Sequence, residues 1–170
     1  MSSSTIKIGI DLGGTKIAGV AIDRDGKVLR ANRLDTPTSG YDAIMDAIDA
    51  LVNELDPTGD VPIGVGTPGA ISPTSGTLRN ANTVCLNGTP FPEDLSRRCG
   101  RSVRIANDAN CFALSEAVDG AGRDAHCVFG VILGTGVGGG VVYSRRLLEG
   151  RNAIGGEWGH NPLPWPAAHE

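Results

Sequence analysis

Apolar and polar residues alternate from the start of the chain. Ile6, Ile8 and Ile10 are spaced by Lys7 and Gly9, the two-residue period of a strand. Asp11-Leu12-Gly13-Gly14-Thr15-Lys16 interrupts the alternation, and a second strand is predicted from Ile17 to Ile22. Asp23-Arg24-Asp25-Gly26 reads as a tight turn before a third strand, Lys27 to Leu34. Strands joined by short turns form an antiparallel meander. The period then changes. Tyr41, Ile44, Met45, Ile48, Leu51, Val52 and Leu55 fall three and four residues apart, one face of a helix that Pro57-Thr58-Gly59 ends. Val61 to Val65 is a short buried strand. Residues 66–90 read as loop with room for a hairpin, Pro92 to Cys99 as a short helix and Val103 to Ala106 as a strand. Asp108 to Val118 reads as a helix with Cys111, Leu114 and Val118 turned inward.

Beyond Gly120-Ala121-Gly122 the pattern restarts. Cys127 to Leu133 is a strand, Gly134 to Gly136 a turn and Gly138 to Tyr143 a strand. Val131-Ile132-Leu133-Gly134-Thr135-Gly136 echoes Ile10-Asp11-Leu12-Gly13-Gly14-Thr15. The expectation is two related α/β units, residues 1–119 and the beginning of a second over 120–170. The second has strands but no helix of its own to cover them, so either the natural chain continues or another element does the covering.

Composition narrows the class. The chain has 170 residues, 40% hydrophobic and 20% charged, with net charge −4. That is an ordinary soluble composition without a polyanion-seeking surface, so no nucleic-acid partner is expected. No apolar run approaches the ~18 residues of a membrane span, and Met1-Ser2-Ser3-Ser4 lacks an export signal. A cytoplasmic protein is expected, and Cys85, Cys99, Cys111 and Cys127, which show no C-x-x-C, read as buried reduced thiols. The sequon Asn87-Gly88-Thr89 is moot without secretion.

Three clusters carry candidate chemistry. In the first turn, Gly13 and Gly14 leave main-chain N–H groups uncovered for a phosphate, Thr15 adds a hydroxyl, Lys16 adds a charge and Asp11 can orient a magnesium-bound water. It is no Walker A loop, since the spacing differs and a strand follows; a plain hairpin turn is the bland reading. The second cluster contains a literal G-x-G-x-x-G at Gly134, Gly136 and Gly139. A dinucleotide site needs a helix next, but Val141-Val142-Tyr143 reads as strand. A second phosphate turn, Gly134 to Gly140, is the remaining functional reading. The third cluster concerns an acceptor. Asn107-Asp108-Ala109-Asn110 sits where a strand becomes a helix, so Asp108 is either a helix cap or a general base taking a hydroxyl proton. Asn107 would hold a neighbouring hydroxyl. Glu157 and His160, within Gly155-Gly156-Glu157-Trp158-Gly159-His160, suit hydroxyl recognition or metal ligation. Gly66-Thr67-Pro68-Gly69 and Asn80-Ala81-Asn82 are candidates for another wall.

These segments resemble, in order, those of the ROK sugar kinases: Ile10 to Lys16, Gly66 to Gly69, Asn107 to Asn110, Leu133 to Gly140 and Gly156 to His160. The resemblance covers residues 6–166. It implies an actin-like ATPase architecture, built of ribonuclease-H-like α/β domains, of which this chain holds one and the start of a second, truncated one. It implies ATP and Mg2+ at the turns (Asp11, Gly13, Gly14, Thr15, Lys16, Gly134, Thr135, Gly136, Gly138, Gly139). It makes Asp108 the catalytic base and places Asn82, Asn107, Glu157 and His160 on the sugar. His160 also matches a Zn2+ ligand of many members. The cysteine-rich zinc loop of the family would follow Glu170, so the isolated chain is expected to be inactive or nearly so. A homodimer is left open for the full-length protein.

Asn80 to Asn82, Leu86 to Phe91, Ser115 to Gly120 and Trp158 to Trp165 most resemble bacterial fructokinases, which implies transfer to D-fructose to give fructose 6-phosphate. Kinases of N-acetylglucosamine, glucose or mannose are the alternatives. Sugar-responsive ROK transcription factors are another, against which count the five residues before Ile6 and the presence of Asp108. Chaperone- or actin-like nucleotidases share the architecture without needing the sugar-side residues.

Overall fold

In the computed structural model the described residues are 7–134, 136–159, 161, 162 and 165. Three strands open the chain: β1 (Lys7–Leu12), β2 (Lys16–Ile22) and β3 (Val28–Asp35). The helix α1 (Tyr41–Leu55) follows, then β4 (Ile63–Thr67), the two-residue strands β5 (Ala70–Ile71) and β6 (Leu78–Arg79), and a 3-10 turn, Val84–Leu86. Helix α2 (Phe91–Cys99) leads to β7 (Val103–Asn107), and α3 (Asp108–Val118) begins on the next residue. The strands β8 (Cys127–Leu133), β9 (Val137–Tyr143) and β10 (Arg146–Leu147) complete the order.

The main sheet runs β3-β2-β1-β4-β7. β1 pairs antiparallel with β2 and parallel with β4, and β4 pairs parallel with β7. Alternation puts Ile8, Ile10, Leu12, Ile17, Ala21, Ile63 and Val65 into the core. The stripe of α1, namely Ile44, Met45, Ile48, Leu51, Val52 and Leu55, is buried in the same core. Gly19 is small because α1 lies against it: a Cβ there would stand 2.7 Å from Leu55 Cδ1 and 3.0 Å from Leu51 Cδ2. Leu86, Phe91 and Leu95 close the core below, each 0% exposed. Helix α2 has acids in its first turn, Arg97 and Arg98 in its last, and Gly100 at φ 62 as its left-handed stop.

Where α1 ends, a buried ion pair ties it to the approach of β7. Arg101 Nη1 donates to Asp56 Oδ2 at 2.7 Å and Nη2 to the Asp56 carbonyl at 2.7 Å.

The chain forms two compact units, Met1–Asp108 and Ala109–Glu170. The second has a three-stranded sheet, β10-β9-β8, and is not bare as its sequence suggested: α3 is its cover. The helix buries Ala109, Ala113 and Ala117, with Leu114 partly buried, whereas Cys111 is exposed and Val118 is 42% exposed. The inward face expected for the helix is thus corrected, and the reason is close approach. A Cβ on Gly130 would fall 2.7 Å from Ala113 Cβ, and one on Gly140 3.0 Å from it. Glycine strands accept an alanine ridge and exclude larger side chains. By compactness the division of the chain falls between Asp108 and Ala109. The cysteines are likewise more open than expected: Cys85, Cys111 and Cys127 are exposed and Cys99 half-buried.

Candidate functional site

Three parallel strands of the first unit end together. Asp11 lies in register with Gly66, Gly66 with Ala106, and Thr67 with Asn107. The carboxyl ends of β1 and β7 are two strand spacings apart, about 10 Å. Open α/β sheets take their ligands at this edge. Asp11, the Thr67-Pro68-Gly69 turn, Asn107 and Asp108 all fall on it.

The Asp11 carboxyl is shifted at this edge. Partial desolvation at the sheet edge, and after it the charge of Asp108, raise the Asp11 carboxyl above the ordinary carboxylate value. The charge acting on Asp11 is therefore another anion and not a cation. Asp108 opens α3, where the N-terminal end of a helix favours negative charge. Such an acidic pair suits a divalent cation with its waters, because the cation removes the repulsion that the apposition creates.

The turn beside Asp11 is tighter than its sequence suggested. The Gly13 N–H is not free but donates to the Lys16 carbonyl at 2.9 Å, closing a three-residue hairpin loop. Thr36, a residue passed over in the sequence reading, braces the loop. Its hydroxyl donates to the Gly13 carbonyl at 2.8 Å and its N–H to the Thr15 carbonyl at 3.0 Å. Among the described residues the N–H groups of Gly14 and Thr15 meet no acceptor. They are the donors left for an anion, and around Gly14 there is open space. The Lys16 ammonium is taken by Asp35, its register partner on β3, which holds the Asp35 carboxyl below its ordinary value by a hydrogen bond and by charge.

The acceptor side is built from backbone pressed against backbone. Asn107 Nδ2 donates to the Gly69 carbonyl at 3.0 Å. Gly69 has φ +95, and a Cβ on it would lie 2.4 Å from the Arg79 carbonyl oxygen and 2.9 Å from Ala81 N. Only glycine fits a positive φ under that contact. Gly69→Ala is expected to destabilise the first unit by about 2 kcal/mol in denaturant titration, from backbone strain plus the clash. Asn82 follows directly on buried Ala81 and is exposed.

In the second unit the other turn, 134–136, is closed by the Gly134 N–H donating to the Gly136 carbonyl at 2.9 Å. Gly134 and Gly136 have open space around them. Two of the glycines that follow have a packing cause. That holds for Gly139, where a Cβ would fall 2.8 Å from the Gly156 carbonyl and 2.9 Å from Trp158 Cδ1, and for Gly140 against α3, whereas a Cβ on Gly138 would make only ordinary contact with Ala109 Cβ at 3.4 Å. Trp158 fixes the loop on β9 by donating from Nε1 to the Gly138 carbonyl at 3.0 Å, with its ring edge-on to Phe129. Glu157, beside it, is exposed. Thr135 and His160 lie outside the described residues. Among the described residues no trio of His, Cys, Asp and Glu gathers for a metal, and no helix is long and apolar enough to cross a membrane. A groove of about 300 Å³ between α1 and α2, lined by Tyr41, Asp42, Met45, Asp94, Arg97 and Arg98, contains none of the candidate site residues.

Known proteins match most of this chain. A family model described as the ROK family matches residues 7–169. An N-acetyl-D-glucosamine kinase of Citrobacter koseri is 46% identical over 158 residues, which are 92% of this chain and 52% of that protein. A crystal structure of a ROK family glucokinase from Streptomyces griseus, in complex with glucose and AMPPNP, superposes with a TM-score of 0.83 at 34% identity, covering 94% of this chain and 51% of that one. A ROK family protein from Streptococcus pneumoniae in complex with sucrose superposes with a TM-score of 0.76 at 31% identity, over 96% of this chain and 54% of that one. The chain spans about half the length of the curated relatives it matches.

Proposed function

The chain belongs to the ROK family, and from that premise we propose that the whole protein transfers the γ-phosphoryl group of ATP to a hexose hydroxyl. The observation that carries the reading is the apposition of Asp11 and Asp108 at the carboxyl edge of β1, β4 and β7. Asp108 is the general base. As the sugar oxygen bonds to the γ-phosphorus and the bridging bond to ADP breaks, the Asp108 carboxylate takes the hydroxyl proton. Asp11 would hold a hydrated Mg2+, which when bound would offset charge on the phosphates. The Gly14 and Thr15 N–H groups and the turn at Gly134 and Gly136 bind phosphate oxygens. Asn107, Asn82 and Glu157 bind sugar hydroxyls.

For the acceptor, the likeness to N-acetyl-D-glucosamine kinases and to a glucokinase supports an aldohexose, with N-acetyl-D-glucosamine first. Fructose is the second reading, supported by the fructokinase-like segments at 80–82 and 86–91. Leu86 and Phe91 of those segments are buried core residues, which weakens their weight for sugar choice. A panel of hexoses with Mg-ATP, followed by ADP release from the whole protein, decides. Fastest turnover on N-acetyl-D-glucosamine supports the first reading, fastest turnover on fructose the second, and no hexose-dependent release overturns both.

Asp11→Asn separates function from stability. A carboxyl raised in the folded state costs stability at neutral pH and is relieved by protonation, so its amide is expected to leave stability equal or higher by up to about 0.5 kcal/mol. Binding of Mg-nucleotide falls in the same variant. Thermal melts and nucleotide titration read the two together.

A further inference from the structure

Asn87 entered the sequence reading as part of an idle sequon, and its geometry gives it a role. Its Oδ1 accepts the Ala81 N–H at 2.8 Å and its Nδ2 donates to the Ala81 carbonyl at 3.0 Å. One side-chain amide thus meets both backbone groups of one residue, as a neighbouring strand would. The segment that carries Asn87 is itself pinned. The Gly88 N–H donates to the Leu78 carbonyl at 2.7 Å, the Leu78 N–H to the Thr89 carbonyl at 3.1 Å, and the Thr89 hydroxyl to the Leu86 carbonyl at 2.7 Å. Leu78 and Leu86 are fully buried, so the clamp is rooted in the core.

What Asn87 holds is the wall that faces the acceptor residues. Ala81 is 6% exposed, and its neighbour Asn80 takes the left-handed conformation, φ 57. The backbone of 79–81 presses on Gly69, whose carbonyl receives Asn107 Nδ2. A chain of direct contacts therefore runs from Asn87 through Ala81 and Gly69 to Asn107, the residue before Asp108.

We propose that Asn87 is a positioning residue for the sugar: it fixes the 80–82 segment so that Asn82 meets a hexose hydroxyl in a preset place. Preorganised polar groups bind without the cost of ordering a loop, and a loosened wall costs affinity although no contact to the sugar is removed. The inference rests on the hexose-kinase reading above.

The test is calorimetric titration of the whole protein with N-acetyl-D-glucosamine, with fructose and with a non-hydrolysable ATP analogue, for wild type, Asn87→Ala, Asn82→Ala and the double variant. Asn87→Ala is expected to weaken hexose binding roughly tenfold, the worth of about one net hydrogen bond. Nucleotide affinity should stay within about twofold, and the double variant should bind hexose about as weakly as Asn82→Ala alone, because both changes remove one interaction. A general structural role would instead shift both ligands together. Should Asn87→Ala lose its fold, Asn87→Asp, which keeps the acceptor for the Ala81 N–H and loses the donor, reads the same loss in a folded chain. Unchanged hexose binding in the Asn87 variants, or fully additive losses in the double variant, overturns the inference and leaves the kinase reading standing. A wild type that binds neither sugar overturns the kinase reading, and this inference with it.

Discussion

Asp108→Asn in the whole protein is expected to lower ATP-dependent phosphorylation of a hexose by roughly 100-fold or more, with the sugar still bound. The side chain keeps its shape and can still donate and accept hydrogen bonds, but it cannot take the hydroxyl proton as the new bond forms. Two further results should accompany the loss. The folded chain should be no less stable, because the substitution removes the negative charge that bears on Asp11. For the same reason the Asp11 carboxyl should move back toward its ordinary value, although desolvation, the larger cause of its shift, persists. Turnover followed by ADP release, alongside the hexose titration, reads the prediction. If Asp108 were no more than a helix cap, turnover and sugar affinity would both stay near wild type, since Asn caps a helix as well as Asp does.

The largest stability effect is expected at Arg101. Its side chain is 4% exposed and that of Asp56 2% exposed. Removing one member of a buried pair leaves the other charged without a partner, which costs about 3–5 kcal/mol. Arg101→Met is expected to destabilise the chain by that amount in denaturant unfolding, whereas the double replacement Arg101→Met with Asp56→Leu should recover much of the loss. The same pair sets a pH dependence. Burial would push the Asp56 carboxyl up, but the Thr58 hydroxyl and N–H and the Arg101 guanidinium together hold it below its ordinary value. A lowered folded-state pKa contributes stability that is fully present above the unfolded value, near 3.9, and is lost as pH falls below it. Acid unfolding of wild type should therefore begin below about pH 4 and should lose that component in the double variant.

How much of this was written in the sequence follows from what kind of force places each part. The long stripe of α1 needs only periodicity, and the helix falls at Tyr41–Leu55 as its spacing predicts. The same holds for β8, where an apolar run bounded by turn residues gives Cys127–Leu133. Helix α3 was found but turned the wrong way, because hydropathy ranks Cys111 and Val118 above alanine. The deciding fact lies elsewhere in the chain, in strands whose Gly130 and Gly140 lie close against Ala113 on the helix face that also buries Ala109 and Ala117. The four-residue spacing of those alanines, read with the glycine strands, was the available signal.

The candidate site shows the same division. Asp11, Asn107 and Asp108 stand where strands end, which a sequence reveals, and the raised Asp11 carboxyl links Asp11 to Asp108. The supports are long-range and were not legible. Thr36 reaches back 23 residues to the first turn, and Asp35 engages Lys16 across a strand pair. Among the glycines of 134–140, alike in sequence, Gly134 and Gly136 stand at an open turn while Gly139 is pressed against the loop of Trp158 and Gly140 against α3.

The account stands on the carboxyl edge of β1, β4 and β7 being the sugar site. The most direct measurement is an amide shift map of the isotope-labelled chain titrated with N-acetyl-D-glucosamine and, separately, with fructose. The account predicts that one of them moves Gly69, Asn82, Asn107 and Asp108 while the amides of α1 stay in place. Shifts confined to the groove of Tyr41, Asp94 and Arg98, or none with either sugar, would contradict it.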